Sequence, residues 1–152
     1  MFKIIAKKKL TSNIYSMDVE SPWVARSAKP GQFVIVIIDE KGERIPLTIC
    51  DFDSEKGTIN IVFQVIGKST QRMAALNVGD EFKDVVGPLG NESDFLHHNS
   101  GDLKNKNILF VAGGVGTAPI FPQVKWFKQN GYDVDVIIGS KTKDQIILEK
   151  EM

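Results

Sequence analysis

Short apolar runs separated by turn-forming residues fill the chain up to about residue 90. The runs at residues 2–6, 14–19, 33–38, 45–50 and 58–65 are rich in Ile, Val and Phe and too short for helices, so they read as strands. Their separators, Pro30-Gly31, residues 39–42, residues 51–57 and Gly79-Asp80, carry the Gly, Pro and Asp chemistry of tight connections between antiparallel neighbours. Strands of this length and spacing predict a small barrel or sandwich. One helix interrupts them, over residues 69–76, starting after Gly67 and stopping before Asn77 and Gly79.

Residues 91–106 are polar around a small apolar centre and read as a linker. The period then changes. Residues 108–112 form a continuous apolar run ending in Gly113-Gly114, and residues 118–129 follow with Ile120, Val124 and Phe127 at helical spacing. Pro119 and Pro122 fall near the start of that helix, where a missing N–H matters least. Residues 134–138 are a second apolar strand ending in Gly139, and residues 144–151 read as the start of a second helix. This is the opening of a βαβ unit. The fold class is therefore β followed by α/β, with an antiparallel barrel over residues 1–100 and the first part of an α/β domain over residues 101–152.

Nineteen Lys and Arg balance nineteen Asp and Glu in the 152 residues, which leaves no basic excess for a nucleic-acid backbone. A single cysteine, Cys50, excludes an internal disulfide or a four-cysteine metal or iron–sulfur site built from this chain alone. Together with an N-terminus unlike a signal peptide and no membrane span, this points to the cytoplasm. His97-His98, in the polar linker, reads as solvated, so no metal site is expected; Asp51 and Asp53 read as turn formers, and Cys50 as a buried filler. Trp23 and Trp126 are expected to pack against the core or an interface. No catalytic triad is assembled.

Four segments carry candidate chemistry. Gly113-Gly114-Val115-Gly116-Thr117-Ala118-Pro119 lies between a strand and a helix, where glycines let the backbone approach a pyrophosphate and the helix N-terminus stabilises its charge. A glycine-rich turn without a ligand is the plainer alternative. Arg44-Ile45-Pro46-Leu47-Thr48 offers a cation for a phosphate and a hydroxyl for a ring nitrogen, or is simply an edge strand. Gly67-Lys68-Ser69-Thr70 brings a cation, two hydroxyls and free helix N–H groups together, as an anion site or an ordinary helix cap. Gly87-Pro88-Leu89-Gly90-Asn91 is a turn by composition.

In this order, and with Pro30-Gly31-Gln32-Phe33 and Gly139-Ser140-Lys141-Thr142, these segments resemble the ferredoxin-NADP reductase superfamily over essentially the whole chain. The likeness is greatest to its bacterial and archaeal electron-transfer subunits, of the NADH-dependent ferredoxin-NADP oxidoreductase, sulfide dehydrogenase and dihydroorotate dehydrogenase types. The resemblance implies a barrel that binds FAD and an α/β domain that binds NAD(P)H. Arg44, Pro46, Leu47 and Thr48 would hold the flavin, with Thr48 nearest its reactive edge. Gln64, Val65, Gly67, Ser69 and Thr70 would line its ribityl and diphosphate part, and Gly113, Gly114, Gly116 and Pro119 would receive the nicotinamide nucleotide. Lys141 stands where many relatives have Arg. The family's second domain continues well beyond this length and ends in cysteines that ligate a 2Fe-2S centre, so the chain is expected to be a shortened form or a fragment completed by another chain.

The implied activity is hydride transfer from NAD(P)H to FAD, then electron passage to an iron–sulfur centre and a larger partner subunit of a hetero-oligomer. No side chain is required as a general base. A non-catalytic flavin- or nucleotide-binding module that regulates or scaffolds a complex is the alternative.

Overall fold

Alternation decides which side chains share the core. The computed structural model describes residues 2–98, 103 and 106–152. Seven strands, β1 (Phe2–Lys9), β2 (Ile14–Glu20), β3 (Phe33–Ile37), β4 (Arg44–Asp53), β5 (Thr58–Gln64), β6 (Glu81–Phe82) and β7 (Asp84–Leu89), pair antiparallel in the order β6-β1-β2-β5-β4-β3-β7. The two ends of that order adjoin in sequence, so the sheet curls into a nearly closed barrel. Every second residue turns inward: Met17 and Val19, Val34 and Val36, Ile45 and Ile49, and Ile59, Ile61 and Phe63 are all buried in one core. Helix α1 (Pro22–Ser27) contributes Val24 and Ala25 to it, and α2 (Lys68–Ala75) contributes Met73.

Two restraints besides Met73 fix α2. The Lys7 ammonium donates to the carbonyls of Ala74 and Leu76, both at 2.6 Å, which satisfies the last turn and favours its negative dipole end. On the outer face Arg72 pairs with Asp39 of the β3–β4 turn. The helix therefore presents its N-terminus to the start of β4.

The second part is a parallel pair, β8 (Ile108–Gly113) and β9 (Val134–Gly139), in register from Ile108 opposite Val134 to Gly113 opposite Gly139, joined by α3 (Thr117–Gln129). Ala112 on one face is buried, and Phe110 on the same face meets Phe127 of α3 with ring centroids 5.7 Å apart. Leu109, Val111 and Ile137 on the other face are exposed, Val111 to 66%. The βαβ expectation holds. Pro119 is the third residue of α3, but Pro122 lies inside it and is buried.

A small apolar seam joins the two parts. Ile14, Cys50 and Val62 point out of the barrel and meet Ala118 and Ile147. Beside the seam, Lys125 of α3 holds both carboxylate oxygens of Asp51, at 2.7 and 2.9 Å. β4 carries an irregularity here: Ile49 faces Ile61 but Asp51 faces Asn60, so Cys50 is an extra residue, a β-bulge.

Several expectations are corrected. Residues 144–151 form no second helix: a 3-10 turn at Lys143–Gln145 is followed by turns, with Leu148 at φ 59°, because Ile147 is drawn into the seam. Helix α1 and strands β6 and β7 were not anticipated, and Gly87-Pro88-Leu89 belongs to β7 instead of a turn. Asp51 is an ion-pair partner, whereas Asp53 is the turn former, accepting the N–H groups of Lys56 and Glu55. Trp23 is 81% exposed, while Trp126 packs in an aromatic cluster with Phe95, Phe127 and Tyr132. Phe95 belongs to a 3-10 turn at Asp94–His97, so this piece of the expected linker straps α3; the boundary expected between residues 100 and 101 lies outside the described residues. His97 and His98 are exposed, and His97 Nε2 lies 3.3 Å from Glu92. Among the described residues, no helix is long and apolar enough to cross a membrane.

Candidate functional site

Arg44 opens β4 and pairs in register with Ile37, so its side chain stands outside the barrel beside the N-terminus of α2. With Ile45 and Ile49 committed to the core, Pro46 and Thr48 take the outward phase. Arg44, Pro46, Gly67, Ser69 and Thr70 together line an open cavity of about 510 Å³. Arg44 and Lys68, both on its wall, have no acidic partner among the described residues. Gln71 is the residue whose N–H closes the first turn of α2 on Gly67, at 2.9 Å, which leaves the preceding N–H groups pointing outward. A Cβ at Gly67 would meet no protein atom, so this corner is open space. Thr70 acts first as a cap: its hydroxyl accepts the N–H groups of Ile66 and Gly67, at 2.9 and 3.1 Å, and donates to the Gly67 carbonyl.

A second cavity, about 340 Å³, continues from the first and joins the two parts of the chain. Pro46, Leu47, Thr48, Gln64 and Thr70 form its barrel wall, and Gly116 and Pro119 face them from the glycine turn. Ile66 is 82% exposed and borders both cavities. A third, of about 580 Å³, lies over Gly113 and Gly114, with Gln64 on the barrel side and Ser140 and Lys141 on the other. Gly114 has φ 56°, a left-handed backbone that favours glycine, and neither Gly114 nor Gly116 has any protein atom where a Cβ would sit. Gly113 is tighter: a Cβ there would stand 3.3 Å from the Gly139 carbonyl oxygen, so glycine suits the close approach of β8 and β9.

Twelve of the thirteen residues singled out from the sequence border one or another of these three cavities. The exception is Val65: its side chain packs against the barrel core and its N–H binds the Asn13 carbonyl at 2.8 Å.

No family model matches the chain. It is 39% identical over 149 residues to a Thermotoga maritima protein named dihydroorotate dehydrogenase B (NAD(+)), electron transfer subunit homolog, with 98% of this chain and 50% of that protein covered. Its structure superposes on that of an NADH-dependent reduced ferredoxin-NADP oxidoreductase with a TM-score of 0.88 at 39% identity, covering 99% of this chain and 52% of the other. Over nearly its whole length the chain is similar to proteins of the ferredoxin-NADP reductase superfamily. A ferredoxin-NADP+ reductase from Plasmodium falciparum shares the fold at 19% identity, with a TM-score of 0.79 over 99% of this chain and 62% of that one. The seven-stranded barrel thus has the barrel fold of these reductases. The chain spans about half the length of the curated relatives it matches.

Sequence reasoning missed Asn13, Glu43, Ile66 and Gln145, all of which border the cavities. Asn13 and Gln145 lie outside every motif and come to the glycine turn through tertiary folding alone. Glu43 and Ile66 each stand one residue before a segment already singled out, and that adjacency was the available signal.

Proposed function

We propose that this chain is the flavin- and pyridine-nucleotide-binding part of a cytoplasmic electron-transfer oxidoreductase subunit. Residues 1–100 would carry FAD and residues 101–152 the start of the NAD(P)H domain. The observation that supports this most is the 340 Å³ cavity whose two walls come from the β4 segment and from the glycine turn. A slot lined by apolar side chains with a few polar groups suits a flat conjugated ring.

The residues also fit the rest of the cofactor. Two cations that form no ion pair among the described residues, a helix N-terminus and an open glycine corner are a donor set for a diphosphate. In this reading Arg44 holds the diphosphate, and Ser69 and the α2 N–H groups complete its cradle. Pro46 and Leu47 border the ring, and the Thr48 hydroxyl bonds its polar edge. Gln64, Val65 through its backbone, Gly67 and Thr70 flank the ribityl chain, and Gly113, Gly114, Gly116 and Pro119 admit the nicotinamide nucleotide. FAD, when bound, supplies the chemistry of accepting a hydride and releasing electrons singly. The protein's part is to bind, orient and exclude water, and no side chain need move a proton as a base. The onward acceptor is a 2Fe-2S centre held outside these residues, since Cys50 is the sole thiol, and beyond it a larger partner subunit.

Reconstitution with excess FAD followed by anaerobic addition of NADH or NADPH tests this reading. A flavin spectrum that bleaches is expected. A flavin spectrum indifferent to both nucleotides would mark a non-catalytic flavin module, and no flavin uptake would end the reading.

A further inference from the structure

The phosphate cradle contains a carboxylate. Glu43 lines it beside Arg44, and the Ser69 hydroxyl donates to Glu43 Oε2. An acid at an anion site opposes what the rest of the site is built for, and here it also takes the proton of a hydroxyl that a phosphate would use. The cradle's charge is therefore two cations, Arg44 and Lys68, against one carboxylate.

That balance treats two kinds of phosphate differently. A diphosphate diester places one ionisable oxygen on each phosphorus, so its second charge stands a full phosphate away from the first. A terminal phosphate monoester concentrates nearly two charges on one phosphorus above pH 6, where its second proton is lost. A carboxylate at hydrogen-bonding range of the cradle repels the concentrated charge more, because Coulomb energy falls with distance.

We propose that Glu43 makes the cradle selective for a diphosphate diester over a terminal phosphate, that is, for FAD over FMN. This rests on the flavin reading above.

The test compares FAD and FMN dissociation constants for the unaltered chain, Glu43→Gln and Ser69→Ala, each stripped of flavin and titrated by flavin fluorescence at low and high salt, with circular dichroism as the fold control. Glu43→Gln keeps an acceptor for Ser69 and removes only the charge. It should tighten FMN about tenfold and FAD by no more than about threefold, the scale of one like charge removed at a few ångströms near water. High salt should shrink that difference. Ser69→Ala breaks the same hydrogen bond but keeps the charge, so it should weaken both flavins and leave their ratio unchanged. Equal shifts for both flavins in Glu43→Gln, or a ratio that moves as far in Ser69→Ala, would overturn the selectivity and reduce Glu43 to a clip between the β3–β4 turn and α2. Folded proteins that bind neither flavin in any form would overturn the flavin reading with it, whereas FAD binding with an unmoved ratio would overturn the selectivity alone.

Discussion

Arg44 stands exposed at the first position of β4 without an acidic partner among the described residues. Removing it costs the barrel nothing that is buried, so Arg44→Ala should leave the unfolding midpoint unchanged while weakening FAD by about 1.5 to 3 kcal/mol, the range of a charged hydrogen bond. Isothermal titration against FAD, paired with a melt, separates the two effects. Cys50 is the opposite case. Burial in the seam, reinforced by the neighbouring Asp51 carboxylate, pushes its thiol up to about 12 from an ordinary 9.0. In that interval the folded chain keeps the proton and the unfolded chain loses it, so stability is intact below about pH 9 and declines as the pH rises towards 12. Urea midpoints measured across that range should fall less steeply in Cys50→Ala, and native Cys50 should resist iodoacetamide at neutral pH.

Among the elements, α3 is held to the barrel by the seam and by the half-buried Lys125–Asp51 pair. A double-mutant cycle with Lys125→Met and Asp51→Asn should give a coupling of about 1 kcal/mol in urea unfolding, the upper end for pairs that still see solvent. A coupling near zero would leave the docking to apolar contact alone. Which elements could be read from the sequence follows from how each buries its side chains. Strands β1 to β5 showed as runs because each places Ile, Val, Met or Phe inward at alternate positions. Helix α1 offered two buried residues, Val24 and Ala25, over six positions, too few to set a period. β7 was hidden by Gly87 and Pro88, which an edge strand tolerates because one side of its backbone needs no ladder partner. Beyond β9, Ile146, Ile147 and Leu148 suggested a helix, but the tertiary contact of Ile147 overrode local preference. The site was legible where motifs are contiguous, at Arg44 to Thr48, Gly67 to Thr70 and Gly113 to Pro119, and illegible at Asn13 and Gln145, which only the folded chain brings to the turn.

For the molecule as a whole, the outer face of the β8–β9 pair is the least settled surface. Leu109, Val111 and Ile137 lie side by side and exposed, on a kind of sheet that proteins normally cover on both faces. The isolated chain should therefore associate with itself as its concentration rises. Sedimentation or sizing of Val111→Lys, set against the unaltered chain, should show a shift towards monomer with FAD binding unchanged, because none of these three residues lines the cradle or the 340 Å³ cavity.

The extra residue in β4 also has a parity consequence. In an unbroken strand neighbours point to opposite sides, so Cys50 and Asp51 could not both serve the helix outside the barrel. The bulge gives both the outward sense and then restores Phe52 to the core side. Deleting Cys50 would restore plain alternation, with Ile49 inward, Asp51 outward and Phe52 inward, so β4 would keep one of its two successive outward contacts with the helix and lose the other. One inserted residue thus separates the half of β4 that addresses a ligand from the half that holds the two parts of the molecule together.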